Sequence, residues 1–188
     1  IKTDPGQKNN IINENKDIAN AMHKFYDDWW EDASKEFRYS YIDIYPNITN
    51  TITAHDVQVN SITAWDQSVI RKGISYELGK FNVDFKKSGE YKITLRRWPK
   101  ESNLNLRDSI DDYIPAKKYW DQQSSGKSMN IVSAYIKIGD KDYKVDLSDN
   151  LKTASINIDI SSGKTSLEPG FILDNGETST AFYTDIDF

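Results

Sequence analysis

A mainly β protein is what this sequence predicts: an antiparallel β-sandwich, jelly-roll-like, preceded by one amphipathic α-helix. Three observations carry the prediction. From residue 40 onward, short runs of alternating apolar and polar residues recur, roughly nine of them by the period-2 criterion. Clusters of Gly, Pro, Asn, Asp and Ser separate the runs at short intervals, as antiparallel connections require. Near the N-terminus the spacing changes: Ile11, Ile18, Met22, Phe25 and Trp29 lie 7, 4, 3 and 4 positions apart, which sets them on one face of a helix.

Composition bounds the rest. The 188 residues suit one domain, or one domain with an appendage. Hydrophobic residues make up only 37% while aromatics reach 12%, so aromatic side chains must supply much of the core. A net charge of -5 is no footprint for nucleic acid. No apolar run approaches the ~20 residues a membrane span needs. With no Cys, disulfides, a thiol nucleophile and Cys-based metal sites are excluded, although the compartment is not decided. The sequence opens on Ile1, without an initiator Met or a leader pattern, as expected of a mature form or an excised fragment.

Asp4-Pro5-Gly6-Gln7 reads as a turn, and the helix follows it, with Asn13 or Asn15 as its cap. Asp27, Asp28 and Glu31 crowd the C-terminal end, where the macrodipole disfavours them, so packing through Trp29 and Trp30 must hold the helix. Ser40 to Tyr45 and Asn50 to Ala54 read as strands. Val69 to Gly73, preceded by Thr63 to Gln67, reads as a loop or bulge leading into a strand over Phe81, Val83 and Phe85. The stretch Lys86 to Glu90 turns that strand back into Tyr91, Ile93 and Leu95, which point one way while Lys92, Thr94, Arg96 and Trp98 point the other. Pro99 ends this strand because it cannot donate to the ladder. Asn103 to Lys127 is polar and reads as a long loop. Strands then run over Ile131 to Ile138, Tyr143 to Leu147 and Ala154 to Ile160. Pro169-Gly170 within Leu167 to Leu173 argues for an edge strand or a bulge. Asp174-Asn175-Gly176-Glu177 is a hairpin turn, and Phe182 to Phe188 closes the chain.

Two sets of residues resemble a known family. Asp4-Pro5-Gly6-Gln7, Asn9-Asn10 and a helix ending Tyr26-Asp27-Asp28-Trp29-Trp30 look like the last helix of the catalytic part of bacterial arylsulfatases. His55-Asp56, Trp65-Asp66-Gln67, Arg71-Lys72-Gly73, Leu95-Arg96-Arg97-Trp98-Pro99-Lys100-Glu101 and Ala181-Phe182-Tyr183 resemble recurring features of a β-rich C-terminal extension in that family. Val57 stands where the family often has Trp after His-Asp. The resemblance implies two parts: residues 1–38, the tail helix of a sulfatase catalytic domain, and residues 39–188, a β-sandwich accessory domain. It also implies a parent enzyme that hydrolyses sulfate esters with calcium and a formylglycine, outside the bacterial cytoplasm, in the periplasm or at the cell surface.

The chemistry of such an enzyme is not expected from these residues. None of the five prolines is followed two positions later by Arg, so the Cys/Ser-x-Pro-x-Arg motif is missing, and no cofactor is expected here. No catalytic or metal residue is assigned. His55 and Asp56, adjacent on a strand, would face opposite ways. Asp108, Asp111 and Asp112 offer oxygen ligands for calcium, but an acidic loop is usually a solvated one. The candidates for contact with substrate are Trp65, Arg71, Arg96, Arg97 and Trp98. Arginine's planar fork suits a sulfate or carboxylate of a sulfated glycan, and a Trp can stack on a sugar ring. The structural alternative pairs each Arg with a carboxylate such as Glu101 or Asp66 and packs Trp98 under Pro99. The expected function is accordingly a non-catalytic fragment whose β domain docks on and supports the sulfatase catalytic domain or its substrate cleft. The rival is an independent carbohydrate-binding module for sulfated glycans. Docking demands a bare apolar patch. The module demands exposed, coplanar aromatics.

Overall fold

The computed structural model describes residues 2–35, 40–57, 67–73, 79–114 and 122–188. The chain divides into two compact units, Ile1–Ser40 and Tyr41–Phe188.

The first unit is built on helix α1, Lys16–Ala33, entered through a 3-10 turn at Ile12–Glu14. Asn15 stands at the N-cap, but its side chain makes no capping bond to the helix. Its amide donates backwards instead, to the Ile11 carbonyl at 3.0 Å. The N-terminal turn is closed by Asp4, whose carboxylate accepts the Asn9 N–H at 2.8 Å. Lys24 and Asp28, one helical turn apart, form an ion pair.

The second unit is a two-sheet β-sandwich. In order the strands are β1 Ile42–Ile44, β2 Asn50–Thr53, β3 Phe81–Phe85, β4 Gly89–Arg96, β5 Ile131–Ile138, β6 Lys141–Asp146, β7 Ala154–Ile160, β8 Gly163–Leu173, β9 Thr178–Thr180 and β10 Tyr183–Asp187. One sheet runs β1-β3-β8-β5-β6, with β9 added on β8; the other runs β2-β10-β4-β7. Alternation sends Phe81, Val83, Phe85, Ile131, Ile136, Leu167 and Phe171 from the first sheet into the core. Tyr91, Ile93, Leu95, Ile158 and Ile186 meet them from the second. As the composition requires, aromatics matter: Tyr91 packs edge-on against Phe85 and Phe188, each at 5.0 Å, and its hydroxyl donates to the Lys87 carbonyl.

Three elements depart from expectation. The segment Gln67–Arg71 is a short helix, α2, rather than a loop or bulge. Strands β1 and β3 pair in parallel, the one such pair among the described strands. Strand β8 is not an edge strand: β5 pairs with it on one side, and β3 and then β9 pair on the other. Pro169 is tolerated because it falls in the gap between those two partners. Strand β3 ends its pairing at Leu167 and β9 begins at Gly170. On that side the Pro169 carbonyl accepts the Ala181 N–H at 3.0 Å, and no ladder bond from its nitrogen is needed. The Asp174–Glu177 turn forms as predicted, with Gly176 at φ +84 supplying the left-handed position. Among the described residues no helix is long and apolar enough to cross a membrane.

Candidate functional site

The motifs singled out in the sequence converge at one end of the sandwich. Strand β4 delivers Arg96 and Arg97 at its end, followed by Trp98. Helix α2 delivers Ile70 and Arg71. The 3-10 turn Ala54–Asp56, which ends β2, and Phe182, just before β10, complete the group. Ala54, Ile70, Trp98 and Phe182 pack together as a small apolar cluster separate from the main core. Ala54 N–H donates to the Phe182 carbonyl at 3.0 Å, tying β2 to the start of β10. Trp98 is thus packed by α2 and Phe182, not under Pro99 alone.

Arg97 is the hub. It is 1% exposed and no carboxylate pairs with it at salt-bridge distance among the described residues. Its Nη2 donates to the carbonyls of Ile70 at 2.9 Å and Lys127 at 2.7 Å. Its Nη1 donates to Asp108 at 3.0 Å and, more weakly, to Leu106 at 3.5 Å. The guanidinium lies 4.3 Å over the Trp98 ring. Burial pushes its pKa down to about 10, with Asp108 opposing that shift, so the group stays cationic at neutral pH.

Arg71 does the same work beside it. Its Nε donates to Gln67 Oε1 at 2.9 Å, one helical turn back, and its Nη1 donates to the carbonyls of Asp111 at 2.9 Å and Ser124 at 3.0 Å. Its own carbonyl accepts the Lys127 N–H at 2.7 Å. Two arginines therefore hold both described limbs of the long connection between β4 and β5, using carbonyls as acceptors. The same limbs are bridged between Tyr113 and Gln123. Gly73, at φ +60, lets the chain leave α2 beneath this connection: a Cβ there would stand 2.8 Å from the Lys127 carbonyl oxygen and 2.9 Å from that of Ser128. Gly73→Ala is expected to lower stability by about 2–4 kcal/mol, from left-handed strain and from displacing backbone. Urea unfolding checks this, and a loss below about 0.5 kcal/mol would be the contrary result.

Arg96 points to the other side of β4, as alternation predicts. Its partner is Asp185 on β10 rather than Glu101. Nη2 lies 2.9 Å from both carboxylate oxygens. Thr51 donates to Asp185 Oδ1 at 2.7 Å, Lys100 Nζ stands 3.5 Å from Oδ2, and the Tyr183 ring flanks the guanidinium. Arg96 and Asp185 are both buried. Burial also raises the Tyr183 hydroxyl pKa, an effect that Arg96 partly offsets.

The five sequence candidates thus separate. Arg71, Arg96, Arg97 and Trp98 share one end of the domain but turn their donors inward, an arrangement that favours the structural alternative. Trp65 and Asp66 lie outside the described residues. His55 and Asp56 sit in a capped turn rather than on a strand. Asp56 accepts the Thr53 N–H at 2.7 Å and the Thr53 hydroxyl at 3.0 Å, and Thr53 in turn accepts the His55 N–H, so this Asp serves as a cap. Asp108 likewise accepts the Asn105 N–H at 2.8 Å. Among the described residues no three His, Asp or Glu side chains gather as metal ligands, and the chain has no Cys. Sequence reasoning missed Asp185 as the ion-pair partner, and Gln67 as the group that orients Arg71. The spacing of Gln67 and Arg71, one helical turn, was a signal for the second.

No protein-family model matches the chain, and no curated protein matches it. Among solved structures, a ruminal GH26 endo-β-1,4-mannanase is similar over 77% of this chain and 26% of its own, at 13% identity and a TM-score of 0.40. The chain thus spans about a quarter of that structure's length.

Proposed function

We propose that this chain is a non-catalytic accessory part of a bacterial arylsulfatase, a sulfuric ester hydrolase of the periplasm or cell surface. It would support the catalytic domain of the same parent chain rather than perform hydrolysis. One observation carries the reading. Helix α1 buries none of its side chains, and its apolar stripe lies open: Met22 is 68% exposed and Phe25 75%, with Ile18, Trp29 and Trp30 beside them. An isolated helix of this length is marginal in water, and its stability must come from packing its apolar face. Covering each large side chain contributes about 1.5–3 kcal/mol before the costs of association. The occupant is the catalytic domain because the residues that form this helix are those that resemble that domain's last helix. Arg71 and Arg97 of the sandwich support the same reading, since they spend donors on fixing a long loop.

The test is complementation. The chain is co-expressed with the catalytic portion of an arylsulfatase whose own C-terminal region carries the double Trp and Leu-Arg-Arg-Trp-Pro elements. The two pieces are expected to co-purify and to raise sulfatase half-life together. The double substitution Phe25→Ala/Trp29→Ala is expected to weaken association by about 100-fold or more, from the loss of two large anchors, while the sandwich keeps its unfolding midpoint. Failure of the unaltered pieces to associate, or association indifferent to the substitutions, would overturn the reading.

A further inference from the structure

A groove of about 440 Å³ crosses the outer face of the six-stranded sheet where β5, β6 and β8 meet. Its floor is Tyr135. This residue stands opposite Gly170 in the ladder, and three of its side-chain atoms, Cζ, Cε1 and Oη, lie 2.4–2.5 Å from where a Gly170 Cβ would be. The Cε1–Cζ–Oη end of the ring therefore lies over Gly170, and Tyr135 also lines the groove. Any side chain at position 170 would displace the ring, so this pairing builds an aromatic platform on an outer sheet face.

The rim is charged but balanced. Lys137 lies in register with Asp142 on one neighbouring strand and with Glu168 on the other. Lys144 Nζ is 3.8 Å from Asp146, and Glu168 is paired with Lys80 at 3.2 Å. The groove therefore offers donors and acceptors at close range without a net field that would select an anion. A flat apolar face ringed by mixed donors and acceptors, in a cleft of ligand size, matches a pyranose: C–H bonds stack on the ring and hydroxyls meet the ammonium and carboxylate groups.

We propose that this groove is a subsite for a neutral sugar unit of a glycan, with Tyr135 as the stacking platform and Lys137 and Glu168 as hydroxyl partners. The site is distinct from the arginine cluster and does not rest on the docking role of α1.

The whole chain is titrated by calorimetry with cellotetraose, mannotetraose and xylotetraose, and with a sulfated heparin tetrasaccharide for comparison. Saturable binding of at least one neutral tetrasaccharide is expected. Tyr135→Ala should weaken it by about tenfold, and Tyr135→Phe should retain it. Because Tyr135→Ala uncovers Gly170, Lys137→Ala serves as the second variant. Its side chain is exposed, so it should weaken binding several-fold at an unchanged unfolding midpoint. The proposal is overturned if no neutral probe binds, if only the sulfated probe binds, or if neutral binding is unaltered by both Tyr135→Ala and Lys137→Ala.

Discussion

Arg97→Ala is expected to destabilise the sandwich by about 3–5 kcal/mol, the range for removing a fully buried hydrogen-bonded charge and stranding its partners. The substitution removes three short bonds and one long one to carbonyls of Ile70, Asp108, Lys127 and Leu106. Those carbonyls belong to α2 and to both described limbs of the long β4–β5 connection, so the loss should unpin the connection as well as lower global stability. The two effects are separable. Urea unfolding reports the global term as a lower midpoint. Amide hydrogen exchange at Gly126, whose N–H donates to Ile110 at 2.6 Å, reports the local opening. Arg97→Lys is expected to recover less than half of the loss, because an ammonium is a point charge and lacks the planar fork that spans four acceptors. Retention of both midpoint and protection in Arg97→Ala would show that the carbonyl cage is not what holds the loop.

Asp185→Ala should have the next largest effect, about 3–4 kcal/mol. It leaves the buried Arg96 guanidinium without its counter-charge and takes an acceptor from the Thr51 hydroxyl. The origin of that cost distinguishes it from a packing defect. A buried ion pair replaced as a pair by apolar residues is often close to neutral, whereas half a pair is not. The double substitution Arg96→Met/Asp185→Leu is therefore expected to restore most of the midpoint lost in Asp185→Ala, giving a coupling of about 2 kcal/mol or more in a double-mutant cycle. Additive losses in the cycle would mean that the two residues act independently.

These two arginines show where sequence reasoning stops. Alternation along Tyr91 to Trp98 placed Arg96 and Arg97 on opposite sides of one strand, and the structure has them so. An ion pair for one of the two was also legible, since a guanidinium on a strand of a compact domain needs an acceptor. The identity of the acceptor was not. Asp185 lies 89 positions from Arg96, and it becomes a neighbour only because β10 inserts between β2 and β4. Arg97's acceptors are backbone carbonyls, which every residue carries and which therefore leave no mark in a sequence. The apolar stripe of α1 was equally legible. The sequence showed that this face needs packing through Trp29 and Trp30, and in the structure its large side chains are exposed.

What the sequence by itself determined is local: roughly nine strands of period 2, a helix of period 3.6, the Asn-Gly and Ser-Gly turns, and a mainly β class, while the short strand β9 Thr178–Thr180 left no such signal. Each follows from steric and hydrophobic preferences acting over a few residues. The tertiary structure alone decided which strands pair. It laid β1 parallel to β3. It brought β8 inside the sheet, with Pro169 tolerated in the gap between β3 and β9. It brought the ring of Tyr135 over Gly170. It also turned residues with the look of a binding motif, Arg71, Arg97 and Trp98, into the support of a loop. The physical reason is common to all of these. Pairing, burial and hydrogen-bond partners are set by segments far apart in the chain, and their energies depend on geometry that exists only after the sheets have packed.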